Sequence, residues 1–306
     1  MKNRNPLTSK KHMKTPRWFS PNRFFSILRI ASGGALLSAA TVMTLMALLS
    51  GPSIAAPDDP SNAVHYYVSL GDSLATGFQP GDNEFTGGDN GYTDQLYAIL
   101  KASDPKLKHV KLGCGGETST TFINGGRCDF YTHGTQLSEA VNFIHAHANH
   151  ISLITIDIGG NDFFLCILNG DQSCLDAALA AMSTNLATIL WALREAAGPD
   201  VPIVGMNYYD PLLAFWVFGD PTAAQTTEQM VVQVNGVLAS VYGTAGDPVA
   251  NVETAFSTTD WTLVEGIPLN VLQICQWTWM CTTNPDIHPN TIGYGVMAQA
   301  FEQVLP

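Results

Sequence analysis

From residue 64 onward, short apolar runs alternate with longer stretches whose apolar positions recur at three- and four-residue spacing. The runs predict strands at 64–70, 108–113, 151–157, 201–207 and 249–253, and the stretches predict helices at 92–102, 134–149, 175–197, 222–243 and 290–304. Strands that alternate with helices pair in parallel, because a parallel neighbour is reached only through a crossover. The expected fold is therefore α/β: a five-stranded parallel sheet with helices on both faces, a three-layer α/β/α sandwich. No repeat, low-complexity tract or linker interrupts the alternation. Residues 57–306 are expected to form one domain, since about 250 residues suffice for one full core.

The first 56 residues follow a different pattern. Eight of the 14 basic residues of the chain lie there, with no acidic residue among them. An uncharged stretch begins at Ile30, densest in apolar residues from Ala35 to Leu49, and ends at the small-residue site Ser53-Ile54-Ala55-Ala56. Basic region, apolar region and cleavage-like site in that order read as a secretory signal peptide over 1–56. An uncleaved membrane anchor is the rival, because the uncharged stretch is long enough to span a bilayer. The expected location is outside the cell.

Without that segment 6 basic residues face 26 acidic ones, a formal charge of −20 rather than −12. Such a surface repels phosphate backbones, so no nucleic-acid partner is expected. All six cysteines lie in the acidic part. An even count in an exported chain suggests disulfides, although six cysteines permit 15 pairings. Nearest-neighbour pairs are expected, Cys114–Cys128, Cys166–Cys174 and Cys275–Cys281, because each closes a short loop after a predicted strand or before a predicted helix. The absence of a CxxC pair weighs against zinc.

Three predicted strands run into Gly/Asp/Asn-rich loops. The first leads to Gly71-Asp72-Ser73-Leu74, the second to Gly113-Cys114-Gly115-Gly116-Glu117, and the third to Gly159-Gly160-Asn161-Asp162. In a parallel sheet all three loops meet along one edge, where ligands bind in open α/β sheets. Ser73 alone is better read as a helix cap than as a nucleophile. It becomes a candidate nucleophile because a base, an orienting group and oxyanion donors are also present. His288, in a loop before the last helix, suits proton transfer near neutral pH. Asp286 can hold its tautomer. The Ser73 and Gly116 N–H groups and the Asn161 amide can donate to a developing oxyanion. Other groups fall short: on a helix His145 and His147 point apart, and the acidic loop at 82–94 reads as a solvated loop rather than a calcium site. No metal or cofactor is expected.

With these residues together, the chain resembles the SGNH, or GDSL, hydrolase family of esterases and lipases from Ser69 to Gly295. Ser73 matches the family's catalytic serine, Gly116 the glycine of its second block, Asn161 the asparagine of its third, and His288 before Pro289 its catalytic histidine. The resemblance implies a flavodoxin-like α/β/α sandwich and a secreted serine hydrolase that cleaves carboxylic esters. Two departures accompany it. Gly115 stands where the family often has serine. Pro285 occupies the usual acid position, with Asp286 one residue later. Either Asp286 or a backbone carbonyl, as in some members, then orients the histidine.

Two aromatic segments bear on the substrate. Phe215 and Trp216, and Trp277 and Trp279 between Cys275 and Cys281, are candidates to line an acyl-binding groove. The expected substrate is a small-molecule or lipid ester, with no obligate protein partner and a monomeric chain. Alternatives are a carbohydrate O-acetyl esterase, whose tryptophans would stack on sugar, and a non-catalytic surface binding protein on the same fold.

Overall fold

The structure is a computed structural model that describes residues 64–305, so the expected export segment at 1–56 lies outside the described residues. In chain order the elements are β1 (His65–Gly71), α1 (Tyr92–Ser103), β2 (Leu107–Lys111), α2 (Ser119–Asn124), α3 (Gln136–Ala146), β3 (Ile151–Asp157), α4 (Gly160–Leu168), α5 (Gln172–Ala197) and β4 (Ile203–Met206). A 3-10 turn (Pro211–Trp216) precedes α6 (Pro221–Ala245), β5 (Val249–Ala250) and α7 (Val252–Ala255). A small hairpin, β6 (Leu263–Val264) and β7 (Ile267–Pro268), leads into α8 (Leu269–Trp277) and α9 (Thr291–Glu302).

The five long-range strands pair in parallel in the order β2-β1-β3-β4-β5. Val68 of β1 stands opposite Val110 of β2 and Ile154 of β3, and Tyr67 to Gly71 are all buried. Burial of successive residues means that both faces of the sheet are covered. α1 and α9 pack together, with Tyr92 stacked on Phe301, while α5 packs with α3, α4 and α6. The core runs through both layers.

Local signals explain the helix ends. Asp171 caps α5 by accepting from the Cys174 N–H, and a stripe of Leu175, Leu179, Met182, Leu186, Ile189 and Leu193 turns inward. Asp220 caps α6 ahead of Pro221, and Asn290 caps α9 by accepting from the Ile292 and Gly293 N–H groups. Each such cap contributes about 1 kcal/mol. The fifth strand is shorter than its apolar run, because Asn251 accepts from the Thr254 N–H and starts α7. Likewise α3 begins only at Gln136, where the Thr135 hydroxyl caps it, and its end at Ala146 leaves Asn149 at φ 69° in the turn to β3.

Strand order places the site. β1 lies between β2 and β3, so the loops leaving all three strands adjoin, and Gly71 at the end of β1 is the register partner of Asp157 at the end of β3. Gly71 sits at φ +138°, and a side chain there would run into Asp157. Only glycine turns the chain this sharply here. The turn is clamped by Gln136, whose carbonyl accepts the Gly71 N–H at 2.6 Å and whose amide donates to the Gly71 carbonyl at 2.9 Å.

Candidate active site

Ser73 follows the Gly71 turn, and the Thr76 N–H donates back to the Asp72 carbonyl to close one helical turn around it. The Asp72 carboxylate accepts from the Leu74 N–H at 2.9 Å and is itself buried. Ser73 is therefore held rigid but half-open to solvent.

His288 reaches Ser73 from the far end of the chain, 215 residues away, with 2.8 Å between Nε2 and Oγ. On its other side Nδ1 lies 2.7 Å from Asp286 Oδ1, which also accepts the His288 backbone N–H at 2.9 Å. Partial burial pushes the Asp286 carboxyl up. The hydrogen bonds from the His288 ring and backbone and the imidazole's charge outweigh that, leaving it below the ordinary carboxylate range. An ionised Asp286 accepts from Nδ1–H, which leaves Nε2 free to accept the Ser73 hydroxyl proton. Of the two orienting groups left open by the sequence, the carboxylate occupies the position. Asp-x-His spacing suffices because the Asp286 carboxylate folds back onto the next-but-one backbone N–H.

The histidine loop is braced from several directions. The Tyr209 hydroxyl donates to the Ile287 carbonyl at 2.8 Å, and the Trp279 N–H donates to the His288 carbonyl at 3.1 Å. The Asp286 and Asn290 N–H groups donate to the carbonyls of Trp279 and Trp277. The Phe78 ring meets the imidazole edge to face at 4.7 Å.

Gly116 and Asn161 converge from the other two loops. Gly116 adopts φ +76°, and the Asn161 amide donates to the Glu117 carbonyl at 2.9 Å, tying the second loop to the third. Asp162 tightens that tie by accepting from the Ser119 N–H at 2.8 Å and the Ser119 hydroxyl at 2.6 Å. Among the described residues no protein acceptor takes the Ser73 or Gly116 N–H. Unpaired backbone donors are the kind of group that can hold a transient oxyanion.

The three disulfides join the expected pairs, and no free cysteine is left among the described residues. Three disulfides fit an extracellular protein. Cys114–Cys128 borders Gly116, Cys166–Cys174 links α4 to α5, and Cys275–Cys281 closes the segment that pairs with the histidine loop.

The aromatic residues require a correction. The cavity that opens on Ser73 and His288 is lined by Phe163, Phe164 and Ile167 of α4, by Tyr208 and Leu212 after β4, and by Val231 of α6. Phe215, Trp216, Trp277 and Trp279 are not on its wall. Phe215 and Trp216 pack, half-buried, against the core, and Trp277 meets Phe256 edge to face at 5.3 Å. Trp277 and Trp279 serve the site through their backbones instead, by pairing with the histidine loop. The apolar run Phe163-Phe164-Leu165-Cys166-Ile167-Leu168, after Asn161-Asp162, is the sequence signal for the α4 residues on the cavity wall. Tyr209 and Phe78 carried no such signal, since only the folded chain brings them to His288.

A parallel α/β/α sandwich with serine, glycine, asparagine and histidine loops meeting at its C-terminal edge has the SGNH-hydrolase fold. A family model for GDSL-like lipase/acylhydrolases matches residues 69–296, and the chain belongs to that family. Among solved structures it is similar to an extracellular lipase from Streptomyces rimosus, with 18% identity over 79% of this chain and 100% of that one, at a TM-score of 0.55. It is also similar to phospholipase A1 from Streptomyces albidoflavus, with 17% identity over 79% and 100% of the two chains and a TM-score of 0.51. A lipase from goat rumen metagenome gives 15% identity over 78% and 97%, with a TM-score of 0.51. These likenesses concern the fold. No curated protein matches by sequence.

Proposed function

We propose that this chain is an exported carboxylic-ester hydrolase that works through an acyl-enzyme on Ser73, taking substrates whose acyl chain is apolar. The observation that carries the reading is the unbroken hydrogen-bond line Ser73–His288–Asp286 at the mouth of an apolar cavity. Ser73 Oγ attacks the ester carbon while its proton passes to His288 Nε2. The carbonyl electron pair moves onto oxygen, where the Ser73 and Gly116 N–H groups and the Asn161 amide donate to it. Collapse expels the alcohol, which takes the proton from His288. Water then repeats the sequence on the acyl-enzyme and releases the acid. Asp286 stabilises the imidazolium without itself taking a proton.

The acyl chain is assigned to the wall of Phe163, Phe164, Ile167, Tyr208, Leu212 and Val231. Residues 1–56 are assigned to export and removal, with 57–306 acting as a monomeric enzyme. A panel of 4-nitrophenyl esters from acetate to decanoate, assayed on wild type and Ser73→Ala, tests the proposal. Hydrolysis should rise beyond acetate and vanish in the variant. Persistence of turnover in Ser73→Ala refutes the mechanism, and a maximum at acetate would favour the O-acetyl esterase.

A further inference from the structure

Arg127 is one of six cations in the acidic part of the chain. Arg194 pairs with Asp247 at 2.7 Å, Lys111 pairs with Asp94 at 2.8 Å, and Lys101 donates to the Leu107 carbonyl and the Tyr97 hydroxyl. Arg127 has no carboxylate at ion-pairing distance among the described residues, although the chain beyond residue 56 carries 26 acidic groups against 6 basic ones.

Its guanidinium is nonetheless held in place. Nε donates to the Gly115 carbonyl at 2.8 Å, the Phe85 ring lies 4.9 Å from Cζ, and the next residue, Cys128, is bonded to Cys114. It lies against the glycine of the oxyanion site: a methyl group on Gly116 would fall within 2.7 Å of Nη2, Nε and Cζ. The nearby Glu117 carboxyl feels the Arg127 charge but forms no close ion pair with it. That group is turned inward, where Oε2 accepts from the Gln136 amide and Oε1 has no partner, and burial raises it above the ordinary range. The two terminal nitrogens of Arg127 have no protein acceptor among the described residues, and the residue is exposed. An oriented guanidinium with free donors is a receptor for a phosphate or carboxylate.

Its side of the site matters. The apolar cavity extends from Ser73 over the ends of β3 and β4, whereas Gly116 lies in the loop leaving β2 on the opposite flank of β1, and Arg127, just after α2, is tied back to that loop through the Gly115 carbonyl and the Cys114–Cys128 bond. An ester with its acyl chain in the cavity directs its alcohol portion toward Arg127. We infer that Arg127 is a specificity residue that binds a phosphate carried by the alcohol portion of the substrate, as in an acylated glycerophosphate. The inference rests on Ser73 as nucleophile and on the acyl chain lying in the cavity. A −20 surface repels anionic esters in general, so one uncompensated cation beside the oxyanion site selects those whose phosphate reaches it.

The test compares kcat/KM for 1-acyl-glycerol and 1-acyl-glycerol 3-phosphate of the same chain length, at constant ionic strength, for wild type, Arg127→Gln and Arg127→Lys. The phosphate-to-neutral ratio should fall by about ten-fold or more in Arg127→Gln, mostly through KM, and recover in part in Arg127→Lys. Glycerol 3-phosphate should inhibit 4-nitrophenyl butyrate hydrolysis competitively in wild type and correspondingly less in Arg127→Gln. An unchanged ratio overturns the inference, whether both substrates lose nothing or lose equally. Should Arg127→Gln fail to fold, the ratio in Arg127→Lys decides, since a single ammonium does not reproduce a bidentate fork. Wild-type hydrolysis of the neutral ester that disappears in Ser73→Ala separates failure here from failure of the proposed mechanism.

Discussion

Replacing Asp157 by asparagine should make the protein more stable at neutral pH, and the gain should grow as pH rises from the acid side. Asp157 ends β3, Asp72 follows the end of the neighbouring β1, and both residues are buried. Asp157 Oδ1 accepts the Tyr92 hydroxyl at 2.6 Å, and Oδ2 lies 3.4 Å from the Asp72 N–H, which also donates to the Asp157 carbonyl at 3.1 Å. Burial pushes Asp72 up to about 6, against the hydrogen bonds from Leu74 and Asp157 and the charge of His288. Burial, then the charge of Asp72, pushes Asp157 up as well. The folded protein therefore retains protons that the unfolded chain has released. Stability is full below the unfolded value of 3.8 and is lost as pH rises through the folded value near 6.

Asparagine keeps an acceptor for Tyr92, removes one carboxylate and offers an amide to the other. Urea unfolding of wild type and Asp157→Asn at intervals from about pH 4 to pH 8 measures the effect. The two should be similar near pH 4, with the variant ahead by on the order of 1 kcal/mol or more at pH 7, or roughly 2–4 °C in Tm, because the raised Asp157 carboxyl no longer has to ionise. Other raised carboxyls, Asp210 and Asp162 among them, are common to both proteins and cancel in the difference. A difference that stays constant across the range, or shrinks as pH rises, would refute the account of a proton retained on folding.

Three further outcomes follow from the geometry. Asp286→Asn should retain the fold but lower kcat on the order of 10³-fold, because an amide no longer fixes the Nδ1–H tautomer; undiminished turnover would show that a backbone group orients His288. Ile167→Trp should move the preferred ester toward shorter acyl chains by filling the cavity wall, with an unshifted chain-length profile placing the acyl group elsewhere. The paired substitution Cys114→Ser and Cys128→Ser opens a loop with a sequence separation of 14 and should cost about 3 kcal/mol in urea unfolding. Free-thiol titration of the unfolded, unreduced wild type should find none.

The alternation of strand and helix patterns was enough to establish the parallel sandwich, because periodicity is local and each run needs only its own face buried. Ser73, Gly116, Asn161 and His288 were legible for a related reason: each stands at a strand exit or before a helix, where parallel topology directs side chains to one edge. The nearest-neighbour disulfides were legible because their loops are short. Strand order was not, since nothing in β1 itself places it between β2 and β3. From that order come the buried meeting of Asp72 with Asp157 and the opposite flanks for the apolar cavity and Arg127. The aromatic residues mark the boundary most clearly. Trp277 and Trp279 stand out along the chain as possible lining, yet what they supply to the histidine loop is backbone hydrogen bonds, to Asn290 and to Asp286 and His288 respectively. The lining comes from α4 and the turn after β4, brought together by contacts far apart in sequence. Residue chemistry and spacing decide which groups can react; packing of distant elements decides what surrounds them, because burial and approach belong to the folded chain as a whole.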